Sequence, residues 1–133
     1  MFQTVTMPSD VTATAPDGSN VSVLASGERA SMAHFALAPG DVSVAVRHRT
    51  VDELWYVVSG DGEMWRKLDG RDDTIALIPG TSLSIPVGTS FQFRATGNEP
   101  LTAVGVTIPA WPEAGDAELV EGVWEPTLEP GPH

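Results

Sequence analysis

The sequence predicts an all-β chain folded as a sandwich or small barrel. Three observations predict it. Turn signals recur about every 8–12 residues, and the runs between them are short and rich in β-branched and aromatic side chains. No run of about eleven residues keeps the apolar stripe of a helix. The 133 residues suit one domain.

Residues 1–20 hold few large apolar groups after Phe2 and read as an arm or loose edge strand, ending near the turn signal Pro16-Asp17-Gly18. Residues 21–108 form the expected barrel. Its predicted strands are Val21–Ala25, Met32–Leu37, Val42–His48, Glu53–Val58, Glu63–Leu68, Thr74–Ile78, Leu83–Pro86, Phe91–Ala95 and Leu101–Ile108. The punctuation between them is Ser26-Gly27, Pro39-Gly40, Gly60-Asp61-Gly62, Asp69-Gly70, Pro79-Gly80, Gly88 and Gly97-Asn98. Gly60-Asp61-Gly62 reads as a hairpin turn rather than a phosphate loop, because no helix follows it. Residues 109–133 carry five of the eleven prolines, six acids, no Lys or Arg, and both Trp111 and Trp124. They read as an acidic strap anchored by its indoles, with Ala117-Glu118-Leu119-Val120 as one helical turn.

Composition excludes several chemistries. No cysteine is present, which removes disulfides, thiolate-bound zinc, iron–sulfur clusters and thiol nucleophiles. A formal charge of −11 repels phosphate backbones and anionic lipid, so neither nucleic acid nor membrane is an expected partner. No stretch approaches the roughly 18 apolar residues of a membrane span. The N-terminal MFQTVTMPSD has neither a basic nor an apolar leader region, so a cytoplasmic protein is expected.

Histidine is scarce: His34, His48 and the terminal His133. His48 shares strand parity with Val42, Val44 and Val46, so a barrel that buries those valines places the imidazole inside. After four intervening residues come Glu53, Trp55 and Val57, again of one parity. An imidazole and a carboxylate can therefore face one interior, a partial ligand set for a divalent transition metal. A buried Glu53 needs either a pairing with His48 or a proton, and either state serves a general acid or base. Parity points His34 away from the interior, and turns Asp52 and Gln92 outward. Arg47, Arg49 and Arg94 read as partners for surface acids. The expected lining is Val44, Val46, Trp55, Val57, Met64, Phe91 and Phe93, an apolar pocket with a few polar groups.

At these residues the chain resembles the cupin family. The first cupin motif is matched in spacing by Gly40-DVSVA-Val46-Arg47-His48-RTVD-Glu53-LWYVVS-Gly60, and the second by Gly80-TSLSI-Pro86-Val87-Gly88-TS-Phe91-QFR-Ala95. The resemblance implies a double-stranded β-helix, the jelly-roll barrel, and commonly a homodimer through outer strands. The outward apolar positions Leu54, Tyr56 and Val58 agree with a covered face. It also implies a metal held at four positions, which fall here on Val46, His48, Glu53 and Phe91. Two of the four lack a donor, so an incomplete metal set is expected.

Three functions stay open on this reading. One is a small-molecule-binding cupin in which His48 and Glu53 orient a ligand in the barrel or move its protons, as in an isomerase or cyclase. Another is a metal-dependent oxygenase or sugar-type isomerase using His48 and Glu53. The third is a non-catalytic sensor or relic.

Overall fold

Period-two burial and tight turns build the molecule. On β5 (Asp52–Ser59), Glu53, Trp55 and Val57 are buried while Leu54, Tyr56 and Val58 are exposed, so one face of the strand is core and the other is surface. Asp69 and Gly70, both at positive φ, close the two-residue hairpin between β6 (Gly62–Leu68) and β7 (Arg71–Leu77). The computed structural model describes residues 2–112 and 116–132. Its other strands are β1 (Ala13–Thr14), β2 (Asn20–Ser26), β3 (Ser31–Leu37), β4 (Val46–His48), β8 (Ser82–Ile85), β9 (Ser90–Ala95), β10 (Leu101–Ile108) and β11 (Ala117–Leu119). They form two antiparallel sheets, ordered β1-β2-β3-β10-β5-β8 and β11-β4-β9-β6-β7. This is the all-β double-stranded β-helix that the motifs imply. Among the described residues no helix is long and apolar enough to cross a membrane.

The core lies between the sheets. Phe91 and Phe93 from β9, Met64 from β6, Val46 from β4 and Trp55 and Val57 from β5 pack with Leu77, Ile85 and Leu101. Burying each large side chain contributes about 1.5–3 kcal/mol.

Two local expectations are corrected. The stretch predicted as one strand, Val42–His48, is regular only from Val46. Val46 pairs with Phe91, yet Val42 bridges Arg94, so four residues on one side span three on the other. That extra residue is a β-bulge, which reverses face parity. Ser43 and Ala45 are buried, and Val44 is only half-buried. The Ser43 hydroxyl accepts the Phe93 amide inside the bulge, at 3.0 Å. The segment Ala117–Val120 is not a helical turn either. Ala117–Leu119 extends against β4, pairing Ala117 with His48, because an open sheet edge supplies the backbone partners that a lone turn lacks.

One buried side chain, Gln92, ties residues 123–124 of the C-terminal strap to β9. Gln92 points away from the interior, as its parity requires, but lies buried under the strap. Its Nε2 donates to the carbonyls of Ser43 and Trp124, both at 2.8 Å. Its Oε1 accepts the amides of Val123 at 2.9 Å and Trp124 at 3.0 Å. The amide thus uses its full donor and acceptor capacity. Trp124 also carries the Arg94 guanidinium 4.3 Å from its ring centre, while Arg94 binds Glu63.

Gln92→Leu keeps the volume but leaves two strap amides without acceptors. It should cost about 2 kcal/mol in denaturant unfolding. Hydrogen exchange at the Val123 and Trp124 amides should accelerate well before the β9 amides do.

Candidate functional site

The site begins at the end of β4. His48 and Glu53 lie on consecutive antiparallel segments of opposite sheets and meet across the turn between them. His48 Nε2 and Glu53 Oε2 are 2.9 Å apart, with both side chains buried. The Trp55 indole N–H donates to Glu53 Oε1 at 2.8 Å, so both carboxyl oxygens are engaged. The imidazole is wedged edge-on between Phe91, at 5.4 Å between ring centres, and Trp111, at 5.0 Å.

The other face of the imidazole meets the strap. His48 Nδ1 lies 3.8 Å from Asp116 Oδ2, beyond hydrogen-bond distance, and both atoms are buried without a hydrogen-bond partner among the described residues. Asp116 Oδ1 takes the amide and hydroxyl of Thr50. A polar chain thus runs Trp55–Glu53–His48, breaks, and resumes at Asp116–Thr50.

The break opens on a cavity of about 560 Å³. Its walls come from the arm (Ala13–Asp17), from Val21, Ala33 and Phe35, from Gly105 and Thr107 on β10, and from Trp111. Small residues make the room. Gly105 in particular passes beneath the stacked Phe35 and Trp55 rings, where a Cβ would lie 2.7 Å from Phe35. A third carboxyl, Asp17, reaches the same cavity. Its Oδ1 accepts the amide and hydroxyl of Ser19, at 2.9 and 2.6 Å. Burial pushes the Asp17 carboxyl up to about 6 from an ordinary 3.8; the Ser19 bonds pull it down, and the Glu53 charge adds to the rise.

Of the residues singled out in the sequence, His48 and Glu53 line the cavity. Val46, Trp55, Val57, Met64, Phe91 and Phe93 do not. They belong to the packed core, where Trp55 grips Glu53 and Phe91 backs His48. Val44 lies within the bulge, outside both core and cavity. The hollow is displaced because three large side chains, Met64, Phe91 and Phe93, fill the interior between the sheets. His34 sits on the outer face, with its pKa lowered by partial burial. Arg47 and Arg49 both pair with Glu118. Asp17 and Asp116 were missed. Asp17 sits in a segment whose local signal is a turn, and Asp116 lies in a strap with no periodicity to aim it.

The barrel, its two strand-borne motifs and the polar pair at its mouth define a double-stranded β-helix protein. A family model described as "Cupin domain" matches residues 33–107, more than half the chain, and the chain belongs to the cupin family. No curated protein matches it. Among solved structures it is similar to oxalate decarboxylase from Bacillus subtilis, at 18% identity and a TM-score of 0.68, over 81% of this chain and 29% of that one. It is also similar to an uncharacterized conserved protein with a double-stranded β-helix domain from Klebsiella pneumoniae, at 22% identity and a TM-score of 0.65, over 78% and 85% of the two chains. The chain spans about 29% of the decarboxylase, and at these identities the likeness is one of fold.

The metal that the family implies does not fit these residues. Val46 and Phe91 offer no donor and fill their positions with packed apolar volume. His48 Nε2 and Glu53 Oε2 are bound to each other, and the remaining Glu53 oxygen serves Trp55. Among the described residues no group of three or more His, Cys, Asp or Glu is placed to hold a metal ion.

A carboxyl whose pKa rises on folding holds its proton more tightly in the native state. Stability therefore falls as pH climbs from 3.8 towards about 6 and stays lowered above that. Asp17→Asn removes the buried charge and keeps an acceptor for Ser19. It should raise stability near neutral pH by up to about 3 kcal/mol, at about 1.4 kcal/mol for each pH unit of displacement. Almost none of that gain should remain at about pH 2.5, well below both values, where the carboxyl is protonated in both states. Thermal unfolding at the two pH values measures the difference.

Proposed function

We propose that this cupin binds a small molecule with an apolar or aromatic body in the cavity behind the arm, and that His48 contacts its polar end. One observation carries the reading. The break in the polar chain, between the buried His48 Nδ1 and Asp116 Oδ2, falls between two residues that line an otherwise largely apolar cavity. A volume of about 560 Å³ falls within the usual range of ligand sites. Leaving two polar atoms unpaired there is costly unless a bound group completes them. Oxalate, which the decarboxylase's name gives as its substrate, is small against this volume and offers no apolar surface.

The same geometry supports acid/base work. Glu53 holds Nε2, so the imidazole is oriented and Nδ1 is the ring nitrogen left for a ligand to engage. An isomerase or cyclase needs such a group beside a site that excludes water. The pair moves a proton without a metal, in keeping with the missing ligands at Val46 and Phe91.

The outer face supports a second copy of the chain as partner. Leu54, Val106 and Met32 lie in one cross-strand row, and Tyr56, Val104 and His34 in the next. Leu54, Tyr56, Val58 and Met32 are exposed, forming an apolar stripe that association would cover.

Two measurements test these readings. Thermal unfolding against a panel of ring compounds should rise with at least one member, by about 2.7 kcal/mol at a hundredfold excess over Kd. His48→Gln should abolish that rise. A panel without any shift overturns the binding reading. Sedimentation should give about twice the 14.0 kDa chain mass, and Leu54→Glu combined with Tyr56→Glu should return it to one chain.

A further inference from the structure

The charge inventory of the cavity narrows the ligand class, and the argument rests on the binding reading above. Three carboxyls, Asp17, Glu53 and Asp116, face it beside a single imidazole, and no Lys or Arg is among its described lining residues. The sum stays negative even with the imidazole and Asp17 both protonated. Across the whole chain the formal charge is −11, so the surrounding field also favours cations.

The hydrogen-bonding state sharpens this. With Nε2–H donating to Glu53, a neutral His48 presents a lone pair at Nδ1. Asp116 Oδ2, on a side chain 1% exposed, is an acceptor as well. In that tautomer both atoms are acceptors, buried 3.8 Å apart and each without a hydrogen-bond partner among the described residues. An ammonium carries several N–H donors from one atom and can serve both. A hydroxyl carries one. A carboxylate carries none and adds like charge. Phe35 and Trp111 supply aromatic surface to the same cavity, which favours a cation over an anion.

We propose that the cavity selects amines with an apolar ring body, drawing the ammonium to the wall formed by His48 and Asp116, where a small side-chain shift bares Nδ1 and Oδ2 to it, and discriminates against the corresponding carboxylates. The ligand class follows from three acidic side chains and two unpartnered acceptors in one cavity. It does not follow from the fold, which is shared with proteins of other chemistry.

The test compares phenethylamine, 2-phenylethanol and phenylacetate, three probes with one ring and a short chain. Their Kd values are measured by calorimetry at about pH 7.5 and about 0.15 M salt, where attraction to the outer surface is screened. The expected order is amine, alcohol, acid, with the amine at least about tenfold tighter than the acid. Asp116→Asn keeps the bonds to Thr50 and removes the charge. It should erase most of the amine preference while leaving the alcohol within about threefold. If that variant fails to fold, Asp17→Asn should reduce the same ratio. Phenylacetate binding as tightly as the amine overturns the proposed selectivity and leaves cavity binding intact. Binding of none of the three at millimolar concentration overturns the binding reading and the selectivity with it. A stabilising shift from Mg²⁺, Mn²⁺ or Zn²⁺ alone that competes with the amine overturns the proposal in favour of a metal site.

Discussion

A histidine and a glutamate buried together at the mouth of an apolar barrel constrain everything around them. Taking an imidazole and a carboxyl out of water costs several kcal/mol unless their hydrogen bonds are met. Glu53 meets the requirement with both oxygens, one on His48 and one on the Trp55 indole. His48 meets it at Nε2 and leaves Nδ1 open, with Asp116 Oδ2 equally open 3.8 Å away. Phe91 backs the imidazole directly, and Trp111 flanks it.

The site is also a product of its covers. Neither the arm nor the strap belongs to the two motif segments, yet each contributes a carboxyl and a wall. Asp17 enters from the arm, whose carbonyl at the same residue holds the Val44 amide at 2.8 Å. Asp116 enters from the strap, docked by β11 and by the Thr50 bonds. Arm and strap in turn lie against each other: a Cβ on Gly131 would fall 2.2 Å from the Ala15 carbonyl, and one on Gly18 would strike Glu129 and Leu128. The motif residues alone would leave the imidazole open to solvent. With the covers in place it is buried in the wall of an acidic, largely apolar cavity.

Much of the architecture was legible in the residues. Nine strand runs and their turns follow from period-two patterning and from Gly-rich punctuation, because both are local properties of the backbone. The meeting of His48 with Glu53 followed from parity on two strands that a short turn joins. Parity failed where the ladder was irregular. The bulge between Val42 and Val46 turned Val44 away from the interior, and nothing local in DVSVA announces an extra residue. It failed again in Ala117–Leu119, whose extended state depends on the edge of β4 being free to receive it. The expected pocket lining became core, because residue type tells which side chains are buried and not whether they fill the space they enclose.

Residue order on its own carried the all-β class, the cupin motif spacing, the apolar residues at two positions where the resemblance implies metal ligands, and the formal charge of −11. Each of these is written in spacing, composition or neighbouring positions. Long-range packing settled where the cavity lies, which carboxyls enter it and which polar atoms remain unpaired. Those features join segments as far apart as Asp17, His48 and Asp116, and the distance between such groups is set by how two sheets, an arm and a strap close on one another.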